Sequence, residues 1–214
     1  AFCHEASAIP VVAETSVRSF SKYDVYVNLL RAGNEAFSAA IGGAAVITVH
    51  PHDALTALTG QSVRIARNVS LVTKEESHVT NVIDPAGGSY FIESLTADYV
   101  KEAWALFLEI EKAGGLHAYG IDAKIEEVYN TRIAQVETRK HSLIGTNIYA
   151  NPVDEISTAE NAQFAQVKRI AIPFEQLRAN FAQAGLKPAI LAFGELKNYK
   201  PRADFVQGFF ATAG

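Results

Sequence analysis

Two histidines and an aspartate stand close together in the sequence, where they could bind a metal ion. His50, His52 and Asp53 end or follow an apolar run, residues 45–50, that is typical of a buried strand. Alternate residues of an extended segment share one face, so two imidazoles one residue apart can chelate zinc. No other histidine, cysteine or nearby carboxylate group offers a third ligand. The spacing therefore favours a role in stabilising the loop, with a metal site as the alternative.

Two further pairs of charged residues could serve acid–base chemistry or phosphate binding. Glu75 and Glu76 are neighbouring carboxylates, but adjacent side chains on a helix point in different directions. We interpret them as part of a solvated face. Arg64 and Arg67 lie three residues apart on one predicted helix face, where they could bind a phosphate group. Pairing with carboxylates, or an interface contact, is the favoured interpretation of these arginines.

A glycine-rich turn, DPAGGS at residues 84–89, is the strongest backbone signal in the chain. Asp-Pro initiates turns, and Gly87 and Gly88 permit a positive φ or a close approach of the backbone to another group. Ser89 in this turn and Ser16 near the N-terminus lack a nearby His–Asp arrangement. Nucleophilic catalysis by either serine is therefore not indicated.

The composition predicts a soluble, cytoplasmic globular protein. The 214 residues are 49% hydrophobic, which suffices for a sizeable core in one large or two small domains. The net charge is -4, and the 19 Lys and Arg are spread along the chain, which argues against nucleic-acid binding. No apolar stretch approaches the roughly 20 residues of a membrane span, and the first residues of the sequence lack the charged-then-apolar pattern expected of a secretory signal. The single cysteine, Cys3, excludes internal disulfides and is interpreted as a small buried residue.

The first part of the chain predicts strands and helices in alternation, which implies parallel β/α units. Residues 9–15 and 45–50 are short apolar runs typical of buried strands. The helix between them is predicted to be capped by Asp24 and ended by Gly42, and residues 61–76 form the next helix. The apolar stripe of the first helix is expected to comprise Val27, Leu30, Ala36 or Phe37, and Ala40 or Ile41.

Two longer helices follow. Thr96 is predicted to cap a helix that Gly114 ends, with Trp104 as a packing residue, and residues 123–140 form another helix. Residues 142–149 are predicted to be extended. The two apolar stripes are Tyr99, Ala103, Leu106, Phe107 and Ile110 in the first helix, and Ile125, Val128, Tyr129, Ile133 and Val136 in the second.

The C-terminal part begins where the composition changes. Residues 151–165 are polar and lack apolar periodicity, which indicates a linker. A short helix over residues 173–184, an apolar strand over residues 189–193 and a final helix over residues 203–213 are predicted beyond it. This order is typical of the beginning of an α/β domain.

Three stretches together resemble the cobalamin-dependent methylmalonyl-CoA mutase family. They are AETSVRSFS at 13–21, the segment from 64 to 94 that contains NVIDPAGGSYFIES, and AWALFLEIEKAGG at 103–115. The resemblance implies an α/β protein in which a (β/α)8 TIM barrel encloses an acyl-CoA and a flavodoxin-like domain holds the corrin. We expect a piece of such a protein: residues 1–150 as the C-terminal portion of the barrel, 151–169 as a linker, and 170–214 as the beginning of a degenerate cobalamin-binding-like domain.

The cobalt ligand of that family has no counterpart here. The family places a histidine in a DxHxxG motif just after the first strand of its second domain, which corresponds to residues 189–193. No histidine follows His141, and the first aspartate after that strand is Asp204. Lys197 and Lys200 are expected to be exposed and charged, which makes them unsuitable nitrogen donors. The resemblance therefore implies that this chain binds no cobalamin.

Substrate-binding positions of the family are altered as well. A family pattern resembling GHTQSLH corresponds here to GAAVITVH at residues 43–50, which puts Ala45 and Ile47 at positions that hydrogen-bond the substrate. A further family glutamine falls at Glu75. Loss of these groups removes the means of placing a thioester. The DPAGGS turn could line a corrin pocket, but we interpret it as a tight turn that lets the helix at 96–113 pack closely.

The chain most resembles the non-catalytic small (beta) subunit of heterodimeric mutases that interconvert methylmalonyl-CoA and succinyl-CoA. We assign it no catalytic, cofactor-binding or metal-binding residue. Adenosylcobalamin is expected in the catalytic large subunit, which is the expected partner, and the acyl-CoA in the complex. Two alternatives are a catalytically active cobalamin-dependent acyl-CoA mutase with a different ligand set, and a CoA-ester binding module.

Overall fold

The structure, a computed structural model, describes residues 9–157 and 159–214, so Cys3 lies outside the part discussed. Two short strands pair in parallel, with Val12 opposite Val46. The predicted α/β class and the parallel strand–helix–strand unit are confirmed. The first four elements are β1 (Val12–Glu14), α1 (Val25–Ile41), β2 (Val46–Thr48) and α2 (Gly60–Glu75).

Five further α-helices follow in the described part of the chain. None of the helices within residues 9–157 and 159–214 combines the length and apolar character that a membrane span requires. The helices are α3 (Tyr90–Ala113), α4 (Leu116–Tyr119), α5 (Ile121–Glu137), α6 (Ile172–Ala184) and α7 (Leu196–Phe210).

The start of α1 differs from the prediction. Asp24 precedes the helix in a left-handed conformation, with φ 47°, and its side chain makes no capping hydrogen bond. Its backbone N–H donates to the carboxylate of Asp154 instead. The predicted end is confirmed, because the Gly42 N–H donates to the Ser38 carbonyl at 2.9 Å and Gly43 has φ +78°.

The buried face of α1 is formed by small and polar residues. Asn28, Ala32 and Ala36 are buried at four-residue spacing, whereas Leu30 is 66% exposed and Phe37 41% exposed. The predicted apolar stripe is therefore wrong at Leu30 and Phe37, whereas Ala36 is buried and the other predicted positions, Val27, Ala40 and Ile41, are half-buried. Small side chains let the helix backbone approach the neighbouring loops closely, so volume and not hydrophobicity selects this face. The core beside it contains Val17, Phe20, Ala32, Ala54 and Leu55.

Helix α3 begins at Tyr90, so the aromatic run after the glycine-rich turn is helical and Thr96 lies inside the helix, not at its cap. The side chain of Glu93 in the first turn accepts from the Gly88 N–H at 3.0 Å, which satisfies a backbone donor near the helix start. The predicted end at Gly114 is confirmed, with φ +94°. No residue within α3 is buried, so the predicted apolar stripe does not reach a core in the described structure.

Helix α5 and the turn after it are organised by a buried asparagine. Of the predicted stripe of α5 only Val136 is buried. Residues 142–149 are a compact turn, not an extended segment. The Leu143 N–H donates to Asn147 Oδ1 at 2.7 Å, and Asn147 Nδ2 donates to the carbonyls of Val136 at 2.9 Å and His141 at 2.8 Å. The side-chain amide of Asn147 thus bonds three backbone groups, which in a strand would be bonded by a neighbouring strand.

The C-terminal part contains the predicted helix α6 but not the predicted strand. Residues 189–193 are irregular, and Leu191 and Phe193 are 81% and 85% exposed. The strand prediction is wrong because no neighbouring segment of the described chain pairs with this run. Helix α7 begins at Leu196, well before the predicted position, and includes Pro201.

Candidate functional site

The ends of the two parallel strands bring Glu14 and His50 together. His50 Nε2 contacts the Glu14 carboxylate, and the His50 N–H donates to Thr15 Oγ1 at 2.8 Å. The imidazole ring meets the Phe164 ring edge-on at 5.1 Å. His50 therefore joins both strand ends to the segment that follows residue 150.

His52 has a different environment. It is 8% exposed, and its ring centre lies 5.2 Å from that of Tyr26. Its carbonyl accepts from Asn28 Nδ2 at 3.0 Å, while its Nδ1 is buried without a hydrogen-bond partner in the described structure. In residues 9–157 and 159–214, no group of three or more His, Cys, Asp or Glu side chains is arranged to hold a metal ion. The contacts of His52 with Tyr26 and Asn28 therefore hold its loop against α1.

Asp53 supports the start of α2. Its Oδ2 accepts from both the N–H and the Oγ1 of Thr59 at 3.2 Å. Thr59 caps α2 reciprocally with Ser62, through Ser62 N–H to Thr59 Oγ1 at 3.1 Å and Thr59 N–H to Ser62 Oγ at 3.2 Å. The carboxylate thus fixes the residue that begins the helix.

A buried ion pair ties α6 to the N-terminal segment. The Arg169 guanidinium binds the Glu175 carboxylate through two parallel contacts of 2.6 and 2.7 Å, and the two side chains are 7% and 9% exposed. Arg169 Nη1 also donates to the Phe20 carbonyl at 3.2 Å, and Glu175 Oε1 accepts from the Lys22 N–H at 2.9 Å. Each charge is therefore both paired and hydrogen-bonded to backbone, as burial requires.

An arginine of α6, Arg178, stacks on a buried tyrosine. The Arg178 guanidinium carbon lies 3.9 Å from the centre of the Tyr23 ring, and Nη2 donates to the Asn151 carbonyl at 2.6 Å. Burial raises the pKa of the Tyr23 hydroxyl, an effect that the Arg178 charge partly opposes. Burial also lowers the pKa of Arg178, against the attraction of Tyr23 and Asp154.

Replacing Tyr23 with phenylalanine is expected to flatten the alkaline pH dependence of stability. Because the folded-state pKa of Tyr23 lies above its ordinary value of 10.0, the folded protein holds this proton to higher pH than the unfolded chain. The contribution is complete below pH 10.0 and is lost as the pH rises through the folded-state pKa. Urea unfolding measured from about pH 8 to about pH 11 should show a steeper decline for the natural protein than for Tyr23→Phe.

The matched control for this comparison is Tyr99→Phe, since Tyr99 is 70% exposed. Its unfolding free energy should follow that of the natural protein across the same pH range. If Tyr23→Phe also gives a curve parallel to the natural protein, the tyrosine hydroxyl does not titrate differently in the folded state.

The positions expected to have lost substrate contacts lie beside α2. Ala45 and Ile47 line a cavity of about 320 Å³ to which α2 contributes Ser70 and Thr73. Thr73 Oγ1 donates to the Val69 carbonyl at 2.9 Å within its own helix. The side chains of Ala45 and Ile47 are apolar and offer a ligand in this cavity no hydrogen bond.

The charged pairs considered from the sequence lie on the surface of α2 and do not meet. Glu75 is exposed at the last residue of the helix and contacts Lys74 at 3.1 Å, and Glu76 follows it as the exposed cap residue. Arg64 and Arg67 are exposed on the same helix. The placement of Glu75 and Glu76 agrees with the interpretation of a solvated face, whereas neither arginine is in an ion pair of the described residues, so the predicted carboxylate pairing is not seen.

The glycine-rich turn is a tight turn, as predicted. The Gly87 N–H donates to the Asp84 carbonyl at 3.2 Å, and a Cβ on Gly87 would lie 2.7 Å from Asp84 Oδ2. Gly88 has φ +79°, which disfavours other residues. The close approach at Gly87 is to the carboxylate of the turn itself, and not, as predicted, to the following helix.

The two lysines considered from the sequence as nitrogen donors for cobalt lie in surface ion pairs. Lys197 pairs with Glu195 at 2.8 Å and Lys200 with Asp204 at 3.0 Å, and both lysine side chains are more than half exposed. Each ammonium group is engaged with a surface carboxylate. With no histidine after His141, this part of the chain supplies no axial imidazole.

Several residues that organise the structure carried no sequence signal. Arg169 lies in a stretch that the sequence indicates to be a linker, and Asn28 and Asn147 sit among residues of higher hydrophobicity. A signal existed only for Glu175 and Arg178, which are charged residues three apart among the apolar positions of α6. Such a pattern is compatible with surface exposure as well, so burial could not be deduced.

Comparisons with known proteins agree on one family. The sequence model described as methylmalonyl-CoA mutase matches residues 3–200. The methylmalonyl-CoA mutase small subunit of Porphyromonas gingivalis is 38% identical over 99% of this chain and 37% of its own length. The probable small subunit of Mycobacterium tuberculosis (strain H37Rv) is 35% identical over 97% of this chain and 36% of its own length. The mutase of Cereibacter sphaeroides is 37% identical over 83% of this chain and 26% of its own length.

The chain thus spans little more than a third of the length of the small subunits that it matches. On this evidence the chain belongs to the methylmalonyl-CoA mutase family.

Proposed function

We propose that this chain is part of the non-catalytic small subunit of a heterodimeric methylmalonyl-CoA mutase. The observation that carries the proposal is its similarity to proteins named as that small subunit over 97–99% of its residues. In the proposed assembly a large partner subunit binds adenosylcobalamin and interconverts methylmalonyl-CoA and succinyl-CoA. This chain would contribute folded structure and contacts to that partner.

The chemistry of the residues present supports a non-catalytic role. Ala45 and Ile47 give a ligand no hydrogen bond, and the lysines after residue 195 are held in surface ion pairs. The polar groups at the strand ends, such as Glu14 and His50, are already bonded to one another. Groups committed to internal contacts cannot also place a thioester for reaction.

The fold proposed for the whole subunit follows the same family. Residues 1–150 would complete a (β/α)8 barrel, residues 151–169 would link it to a second domain, and residues 170–214 would begin a degenerate flavodoxin-like domain. Support for the barrel comes from the parallel β1 and β2 joined through α1, which is its repeating unit.

The complete small subunit is expected not to bind adenosylcobalamin, because cobalt finds no imidazole in the matching segment. Titration followed by the visible corrin spectrum should give no shift with the small subunit alone and a saturable shift with the heterodimer. A large subunit with its motif histidine replaced by alanine is the control, and its heterodimer should lose the shift. Tight binding with a shifted spectrum by the small subunit alone would contradict the proposal.

A further inference from the structure

A polar cavity lies where the carboxyl end of β1 meets α1 and the last turns of α5. It encloses about 450 Å³, within the range of roughly 300–1,000 Å³ that small-molecule sites occupy. The carboxyl ends of parallel strands are also where β/α proteins place their ligands. The polar residues that line the cavity are Ser16, Arg18, Ser19, Glu35, Arg132, Gln135 and His141.

Two guanidinium groups line this cavity without an ion-pair partner in the described part of the chain. Among the residues that the structure describes, neither Arg18 nor Arg132 forms an ion pair with a carboxylate. The Arg18 guanidinium carbon lies 5.9 Å from the centre of the Tyr129 ring. The Lys168 ammonium lies 5.2 Å from the same ring centre, but it is paired with Glu126 and adds no net charge.

The one carboxylate in the cavity is engaged in backbone and hydroxyl contacts. Glu35 Oε2 accepts from the Ser16 N–H at 2.6 Å, and Oε1 accepts from Ser19 Oγ at 3.3 Å. These bonds hold the short turn Val17–Ser19, whose start is also capped by Ser16 Oγ accepting from the Arg18 N–H at 3.3 Å. Glu35 therefore orders the loop that carries Arg18 and offsets only one of the two guanidinium charges.

We propose that this cavity binds a small molecule through a phosphate group, paired with Arg18 and Arg132. Guanidinium groups match phosphate oxygens with parallel, charge-assisted hydrogen bonds. With Glu35 included, the charged side chains of the lining keep a net positive charge, which attracts an anion. The imidazole of His141 lies at the wall as a further polar group. This site is independent of the subunit assignment, since it rests only on the cavity and its charges.

Calorimetric titration of the chain with inorganic phosphate and with phenyl phosphate at low ionic strength tests the site. Saturable binding is expected, and Arg18→Gln and Arg132→Gln should each weaken it about tenfold, as loss of a charge-assisted pair does. Phenyl phosphate that binds more tightly than inorganic phosphate identifies a monoester as the ligand, and equal affinity identifies the free anion. Both outcomes support a phosphate site.

Arg64→Gln is the matched control, because Arg64 is exposed on α2 and does not line the cavity. It should leave the affinity unchanged, and circular dichroism should show that all three variants keep the natural helix content. Absence of saturable binding, or an equal loss of affinity in Arg64→Gln, would overturn the proposal, as would unchanged affinity in both cavity variants.

Discussion

Replacing Arg169 with alanine is expected to lower the free energy of unfolding by about 3–5 kcal/mol. The substitution leaves the Glu175 carboxylate buried, with only the Lys22 N–H to bond it, and leaves the Phe20 carbonyl without its guanidinium donor. A buried charge that has lost its partner is far more costly than the pair was favourable. Urea unfolding followed by circular dichroism measures the loss.

Lys168→Ala is the matched control, since Lys168 pairs with Glu126 at 2.5 Å but its side chain is 59% exposed. It should cost no more than about 1 kcal/mol. The double variant Arg169→Met, Glu175→Leu removes both charges and should be more stable than Arg169→Ala alone. If Arg169→Ala costs no more than Lys168→Ala, the ion pair is not buried in solution and α6 is not held in this way.

The first four elements could be predicted from the sequence because their signals are local. Short apolar runs mark β1 and β2, and Gly42 and Gly43 end α1 by backbone conformation alone. Thr59 and Ser62 form a capping box that needs no distant residue. Each of these features depends on residues within one turn of the element that it defines.

The inward faces could not be predicted, because they depend on what lies opposite. Hydrophobic periodicity favoured Leu30 and Phe37 in α1, but the loops around Ser21 and His52 admit only the small or hydrogen-bonding residues Asn28 and Ala32. Residues 189–193 have the composition of a strand and lack a partner in the described structure. Strand propensity alone does not supply backbone hydrogen bonds.

The candidate site shows the same division. Family resemblance located the altered positions Ala45 and Ile47, whereas the contacts that stabilise the site region join residues distant in sequence. The Lys22 N–H and Glu175 are separated by 153 positions, and Asp24 and Asp154 by 130. No periodicity or motif encodes such a pair, so only the folded chain reveals that the polar segment after residue 150 packs on the strand ends.

Asn28→Ala is expected to lower the free energy of unfolding by about 2–4 kcal/mol, because a buried amide that bonds three backbone groups has no substitute. Asn28 Oδ1 accepts from the Ser21 N–H at 3.0 Å, and Nδ2 donates to the carbonyls of Ser21 at 2.8 Å and His52 at 3.0 Å. Alanine leaves all three groups buried without these bonds. It also removes an acceptor of Arg31, whose Nη1 donates to Asn28 Oδ1 at 2.8 Å.

The same substitution at Asn34, an exposed position of α1, isolates this effect from helix propensity. Asn34→Ala should leave stability unchanged or raise it by up to about 0.5 kcal/mol, because alanine is the better helix former. Hydrogen exchange adds a local readout: the Ser21 amide should lose protection in Asn28→Ala and keep it in Asn34→Ala. Equal stability of the two variants would mean that α1 is positioned by its alanines alone, since only then would the amide bridge between Ser21 and His52 be dispensable.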